Sequence, residues 1–328
     1  MGEVTTAGID LGGTKCLGVA VAAGAVVAEV RTPTPRSGDP GAVVETVVAL
    51  VAELRVRCGD DRGGGAAGPR TVPASVGVGA PGLVDREGVL RFAPNLPGGT
   101  ELDLGAALRR RLDVPVLVDN DATCAAWGES RAGAARAIED AVVVTLGTGI
   151  GGGIVAGGRL VRGANGFGGE VGHMVVDPGG PLCPCGRQGC WERYASGSGL
   201  ARLAREAVAA GRGEALLALA GGDPGAITGE MVTRAAAGGD AGAVEVMAEL
   251  AWWLALGLAN LASIFDPRMF VIGGGLVEAG ATLLDPARRA FDDLLAGGRH
   301  RPPVAIVPAL LGERAGAVGA ALLADSRP

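Results

Sequence analysis

Short apolar runs broken by glycine turns recur along this chain, and its polar residues of interest gather where those runs end. Residues 6–30 read as strand, glycine turn, strand, turn and strand. Apolar positions over 40–57 have helical spacing, 60–69 is a glycine-rich surface loop, and 71–80 is an apolar strand. Residues 92–97 form a kinked loop, 101–112 a helix, and 114–118 a buried strand. That strand ends in Asp119-Asn120-Asp121, ahead of an alanine-rich helix through Ala134. A second apolar strand, 141–146, runs into Gly147-Thr148-Gly149-Ile150-Gly151-Gly152-Gly153, and 153–161 reads as another hairpin. Helices follow at 199–211, 231–237, 241–265 and 315–324, with strands at 269–272 and 304–308.

The segments beginning Ala7-Gly-Ile-Asp-Leu-Gly-Gly-Thr and Val142-Val-Val-Thr-Leu-Gly-Thr-Gly share one layout, a strand, a Gly/Thr turn, a strand and a further glycine turn. They read as the starts of two copies of a duplicated α/β unit. Two such hairpins facing across a cleft could hold a triphosphate from both sides. The run after residue 146 also satisfies Gly-x-Gly-x-x-Gly, with Glu170 near the spacing of a ribose-binding acid. A dinucleotide site requires a helix after those glycines. A hairpin follows here, so the Rossmann match fails.

Candidate chemistry concentrates in two places. His173 with Cys183, Cys185 and Cys190 makes a set of three sulfurs and one nitrogen that suits tetrahedral zinc. Pro184, Gly186 and Gly189 let the thiolates converge. Three unrelated thiols, or a redox pair, are the plainer reading. A zinc with four protein ligands leaves no position for water and is therefore structural. Glu170 and Glu192 lie just outside the cluster.

The second place is the set of strand ends. Asp10, beside the free amides of Gly12, Gly13 and Thr14, suits a phosphate and its magnesium, although a tight hairpin with an incidental carboxylate fits that segment equally. Asp119-Asn120-Asp121 sits where α/β proteins place ligands. A helix cap explains one of these three residues, not all of them. Asn95 is the side chain of its loop suited to a polyol. The bare backbone of Gly273-Gly274-Gly275 allows approach of a flat ring such as adenine, or makes a plain strand-to-helix turn. Trp252 and Trp253 read as core or subunit interface, and His300 as surface.

With 328 residues the chain is longer than one core needs, which predicts two lobes. Hydrophobic content of 48% with 20% charged residues predicts a soluble globular protein. The most apolar segment, 251–265, is too short for a bilayer span and reads as a buried helix. No secretory signal is visible at the N-terminus, so a reducing cytoplasm and no disulfides are expected. A net charge of −6 without a basic stripe argues against nucleic acid as a partner. Lys15 is the single lysine.

Taken together, Asp10-Leu-Gly-Gly-Thr-Lys15, Gly79-Ala-Pro-Gly82, Asn95-Leu-Pro, Asp119-Asn-Asp121, Leu146-Gly-Thr-Gly-Ile-Gly-Gly, Gly169-Glu-Val-Gly-His173, the cysteine segment through Glu192 and Gly273-Gly-Gly275 resemble the ROK family of repressors, open-reading-frame proteins and sugar kinases. The likeness is greatest to its ATP-dependent kinases for glucose. It runs across nearly the whole chain, and the cysteine segment is its most specific part.

The resemblance implies an α/β, actin-like (ribonuclease-H-like) ATPase fold with two lobes around a cleft. The expected division is 1–120, with about 312–328 packing back on it, and 121–311. Implied roles are Asp121 as the base for the sugar's 6-hydroxyl, and Asn95, Asn120, Glu170, His173 and Glu192 as sugar ligands. Asp10 and Gly12, Gly13, Thr14 and Lys15 would hold phosphates and Mg²⁺, together with Gly147, Thr148, Gly149, Gly151 and Gly152; Gly274 would lie at the nucleotide. The expected reaction takes glucose and ATP to glucose 6-phosphate and ADP, in a cytoplasmic homodimer or homotetramer. Kinases for N-acetylmannosamine, fructose or mannose, and polyphosphate as donor, stay open. A sugar-sensing regulator would need a DNA-binding helix-turn-helix ahead of the first strand, which begins six residues into the chain.

Overall fold

The computed structural model describes residues 5–59 and 73–325; the glycine-rich loop expected over 60–69, and the first two residues of the strand expected over 71–80, lie outside the described residues. Strands β1 (Thr5–Leu11), β2 (Lys15–Ala22) and β3 (Ala25–Pro33) form an antiparallel meander, followed by helix α1 (Pro40–Gly59). Apolar residues at helical spacing put Val43, Val47, Leu50, Val51 and Leu54 of α1 into the core. Each such burial contributes roughly 1.5–3 kcal/mol. Strand β4 (Ser75–Ala80) then pairs parallel with β1.

Three short strands, β5 (Leu83–Val84), β6 (Val89–Phe92) and β7 (Leu102–Asp103), make a small separate sheet. Runs of two to four residues carry too few positions to show a period of two, so the sequence reading missed them. Helix α2 (Leu104–Arg111) accordingly starts three residues later than expected, because Asp103 caps it by accepting the Ala106 N–H. Strand β8 (Val116–Asn120) pairs parallel with β4 and leads directly into α3 (Asp121–Ala132).

The pattern then repeats. Strand β9 (Ala141–Leu146) turns into β10 (Ile150–Ala156), which pairs with β11 (Arg159–Leu160). After the cysteine segment come α4 (Glu192–Ala195), α5 (Gly197–Ala209), α6 (Glu214–Leu219), α7 (Gly229–Ala237) and α8 (Ala241–Phe265). Strand β12 (Met269–Gly273), helix α9 (Ala281–Leu294), strand β13 (Ala305–Pro308) and helix α10 (Ala315–Asp325) close the chain. Helices α6 and α9 were not anticipated from the sequence. The sheet orders are β3-β2-β1-β4-β8 and β11-β10-β9-β12-β13. Each is a meander of three strands extended by two parallel ones, the repeated unit of the actin-like ATPase fold.

Two compact units result: residues 1–139 with 153–169 and 310–328, and residues 140–152 with 170–309. The expected break at 120/121 would part β8 from α3, yet both belong to the first unit. There α3 and α10 approach through glycine. A Cβ on Gly319 would stand 1.7 Å from the Cys124 carbonyl, and one on Gly8 of β1 1.9 Å from the Ala317 carbonyl. Helix α10 therefore lies flat on the sheet and beside α3, which fixes the strand ends that carry Asp10 and Asp121.

In the second unit α8 is, among the described residues, the one helix long and apolar enough to cross a bilayer. Half of its most apolar stretch is buried, including Leu250, Leu254, Leu258 and Leu261. A core helix shows the same composition.

Candidate active site

In the first unit the site begins at two strand ends. Asp10 lies near the end of β1, and Asp121 is the first residue of α3 just past β8. Loss of hydration on burial pushes the Asp10 carboxyl up to about 7; the neighbouring Asp121 charge adds to this and Lys15 opposes it. A buried carboxyl that resists ionising beside a second acid makes a place where a cation is favoured. The first turn of α10 also faces Asp10, since a Cβ on Gly316 would stand 2.8 Å from its Oδ2. The sequence reading missed Gly316, whose only signal is its place in the small-residue run that opens the last helix.

The trio at the end of β8 divides its labour. Asn120 is the N-cap of α3, its Oδ1 accepting the Thr123 N–H at 2.9 Å while Nδ2 donates to the Gly82 carbonyl at 3.1 Å. Capping thus uses one side chain of the three, as composition allowed. Buried Asp119 accepts the Asn120 N–H at 2.9 Å and the Arg162 Nε–H at 2.6 Å. Asp121 Oδ1 accepts the Ala122 N–H at 2.8 Å. These hydrogen bonds fix the orientation of each carboxylate.

Between β1 and β2 the turn is closed by the Gly12 N–H donating to the Lys15 carbonyl at 3.0 Å. Gly13 and Thr14 are exposed, and Asn95, also exposed, lies against Gly13. Lys15 Nζ is 2.6 Å from Glu313, which also holds Arg31 at 2.9 Å. The single lysine therefore does not offer an uncompensated charge.

In the second unit the turn Gly147-Thr148-Gly149 joins β9 to β10, and Gly151 and Gly152 continue within β10. Thr148 and Gly147 carbonyls accept the Ser198 and Gly197 N–H groups of α5 at 3.3 and 2.8 Å. Gly274 follows β12 with φ of 82°, and a Cβ there would lie 2.4 Å from the Leu146 carbonyl oxygen. Only glycine lets these two strand ends sit back to back.

The sulfur cluster closes as its spacing predicts. Donor atoms of His173, Cys183, Cys185 and Cys190 lie within 4.8 Å of one another. Cys185 and Cys190 Sγ are 3.6 Å apart, and Cys183 Sγ is 3.8 Å from His173 Nδ1. A tetrahedral zinc with Zn–S near 2.3 Å calls for sulfur–sulfur separations of about 3.8 Å, so the residues fit that ion. Burial pushes the Cys183 thiol far up, with Glu192 adding to it. Cys190 is also raised by burial. Against burial, the Arg187 backbone N–H and the neighbouring thiols draw Cys185 down to about 7. Three thiols that cannot all ionise unaided are a donor set awaiting a cation.

Packing explains why this loop holds its shape. Trp191 is fully buried and seats over Gly257 of α8, where a Cβ would come within 2.0 Å of the indole. Its Nε1–H donates to the Trp253 carbonyl at 2.7 Å. Tyr194 donates to Asp177 at 2.7 Å and packs against Trp253 at 4.0 Å between ring centroids. Gly189 takes φ of 71° under the Asp177 carbonyl. Trp253 is half-buried against Trp191 and Tyr194, whereas Trp252 is 42% exposed.

The anchored loop presents Glu192 in the middle of the cluster. Its Oε1 accepts from Cys183 at 2.9 Å and lies 3.6 Å from His173 Nδ1. A Cβ on Gly149 would stand 2.3 Å from Oε2, so the glycine turn and this carboxylate touch. Glu170 Oε2 lies 3.9 Å from His173 Nε2, and burial followed by the Glu192 charge raises its carboxyl, with His173 opposing. Nδ1 faces the sulfurs and Nε2 faces Glu170, so one imidazole can serve both a metal and a polar ligand. The structure thus assembles Asp10, Asn120 and Asp121 in one unit, and Glu170, His173, Glu192 and Gly149 in the other.

A profile of the ROK family matches residues 6–327. A glucokinase of Streptomyces coelicolor is 42% identical over 323 residues, covering 97% of each chain. An N-acetylmannosamine kinase of Escherichia fergusonii is 34% identical over 98% of this chain and 99% of its own. The crystal structure of a ROK family glucokinase from Streptomyces griseus, in complex with glucose and AMPPNP, superposes with a TM-score of 0.83 at 41% identity, covering 98% of this chain and 100% of that one. Sequence, fold and the arrangement of the cysteine segment lead to one conclusion: the chain belongs to the ROK family.

Proposed function

We propose that this chain is an ATP-dependent sugar kinase that transfers the γ-phosphoryl group of ATP to the 6-hydroxyl of glucose, giving glucose 6-phosphate and ADP. The observation that carries this reading is the placement of Asp121 at the head of α3, oriented by the Ala122 N–H and next to the electrostatically strained Asp10. A likeness at 41% identity to a ROK glucokinase holding glucose and AMPPNP supports it.

Phosphoryl transfer asks for alignment and charge neutralisation more than covalent help. Asp121 is the base that accepts the hydroxyl proton as the oxygen attacks. Asn95, Asn120, Glu170, His173 and Glu192 orient the sugar through its hydroxyls. Asp10 would hold Mg²⁺, which would neutralise phosphate charge, and the turns Gly12–Lys15 and Gly147–Gly152 would face the phosphate oxygens, through amides other than those of Gly12 and Gly147, which close the turns onto the Lys15 and Gly149 carbonyls, with Gly274 at the base. His173, Cys183, Cys185 and Cys190 would hold a structural zinc, which would keep Glu192 and His173 in place. The same reading has the enzyme working in the cytoplasm as a homodimer or homotetramer, without nucleic acid or membrane as partner; exposed Trp252 and Ile264 on α8 are apolar area that such an assembly would cover.

The test is kcat/KM with ATP and Mg²⁺ across glucose, mannose, fructose and N-acetylmannosamine, with the phosphorylated carbon assigned by ³¹P–¹H NMR. Glucose is expected to lead by at least tenfold. A lead for N-acetylmannosamine, which the 34% identical relative makes the second reading, would replace the substrate. Absence of transfer to any sugar would remove the kinase assignment.

A further inference from the structure

The first unit holds a cavity of about 520 Å³ whose residues, apart from Asp119, enter none of the roles above. It opens beside β8, the edge strand of its sheet, between α3 and the segment around β11. Arg86, Arg131, Arg159 and Arg162 line it, against two acids, Asp85 and Asp119. Both acids are already engaged. Asp85 accepts from Arg91 Nε at 2.8 Å and from the Val89 N–H at 2.9 Å, and Asp119 holds Arg162. The lining thus keeps a net charge near +2, concentrated on Arg86, Arg131 and Arg159.

One wall is apolar. Leu117, Leu160, Leu323 and the ring of Trp127 form it, and the Arg131 guanidinium lies 3.9 Å from the Trp127 ring centroid. That stacking and a hydrogen bond to the Gly158 carbonyl at 2.9 Å hold Arg131 in one orientation. Arg86 is held likewise by the Gly163 carbonyl, with its Nε at 3.2 Å. Arg159 is exposed at the rim. Guanidinium groups preset in this way match the paired oxygens of a phosphate, and a volume within the usual range for small-ligand pockets leaves room for a ring against the leucines.

We propose that this cavity binds a small phosphomonoester with an apolar or ring-shaped body. Its charge of about −1.5 to −2 at neutral pH balances the lining. Arg131 and Arg159 grasp the phosphate while the body packs on Trp127, Leu160 and Leu323. The inference does not rest on the proposed sugar-kinase reaction, because binding here needs neither sugar nor ATP.

Phenyl phosphate and inorganic phosphate are the probes, each titrated calorimetrically into the full chain with zinc supplied and without nucleotide or sugar. Phenyl phosphate is expected to bind at least tenfold more tightly than inorganic phosphate. Arg159→Ala and Arg131→Ala are each expected to weaken it about tenfold, while the circular dichroism spectrum and thermal midpoint of Arg159→Ala, at an exposed site, stay those of the parent. Equal affinities for the two probes would show a nonspecific anion trap and overturn the proposal. So would unchanged phenyl phosphate binding in both variants, or no binding to the parent at millimolar concentration.

Discussion

The β1–β2 and β9–β10 turns are built alike and surrounded differently. Both join the first two strands of a sheet with order 3-2-1-4-5 when its strands are counted in chain order. Asp10 precedes the first turn where Thr145 precedes the second. Around the first turn the charge is carried by the strand itself, in a carboxyl pushed up to about 7. Around the second the charge arrives from elsewhere: Glu192 reaches Gly149 from a loop that carries the candidate metal ligands and is seated by a buried tryptophan. One scaffold used twice therefore suits two tasks under the proposed function, a cation site at the first copy and a ligand-reading site at the second. The scaffold supplies a tight turn closed by its own glycine amide; the residues at the strand ends decide what that turn serves.

That contrast can be broken most sharply at Asp121. Asp121→Ala is expected to lower kcat about 10³-fold with the fold intact, since a general base contributes roughly 10²–10⁴-fold. A coupled assay beside a circular dichroism spectrum checks it, and near-parental turnover would refute the assignment of the base.

The second unit should respond through binding. Cys185→Ser, or treatment with a strong zinc chelator, is expected to raise the glucose KM by about 10–100-fold, the usual effect of disturbing a metal site's support. Nucleotide affinity, read by titration of a non-hydrolysable ATP analogue, should shift less than threefold. Equal loss of both would mean that the metal supports the whole unit and not one function.

Within the second turn, Gly149→Ala is expected to raise the glucose KM about tenfold, because its Cβ would meet Glu192 at 2.3 Å. Gly147→Ala, with nothing within 4 Å of its Cβ, should change it less than twofold. Comparable effects at both glycines would show that the turn acts through its backbone alone.

The smallest effect concerns stability at the first copy. Asp10 has a folded-state pKa of about 7 against 3.8 unfolded, so the folded state holds the extra proton between those values. Stability consequently falls as pH rises through this window and levels off above about 7. Asp10→Asn removes that penalty. Without Mg²⁺ and nucleotide, its melting temperature should exceed the parent's by more at pH 8 than at pH 5, the difference reflecting about 3 kcal/mol and a few degrees. A gain independent of pH would mean that the carboxylate's burial is not its cause. Activity should be lost in the same variant, a stability–function trade-off at a ligand site.

Much of this was legible in the residues alone. Cys183, Cys185, Cys190 and His173 are close in sequence and few donor types share their chemistry, so their convergence on a candidate metal centre could be read without coordinates. Glycine turns between apolar runs marked both meanders, because a period of two and a positive-φ turn are local properties. The internal echo of residues 7–14 and 142–149 announced the duplicated sheets. Local chemistry also made Asn120 a plausible cap.

What the sequence could not disclose depends on residues far apart along the chain. That Asp10 resists ionising required the Asp121 carboxylate and the start of α10, more than 100 and 300 residues away. That Lys15 is neutralised required Glu313. The division between units fell after α3 and not before it, because close glycine contacts bind α3 to α10. Burial, charge coupling and close backbone approach are sums over neighbours in space, and only the tertiary structure decides who those neighbours are.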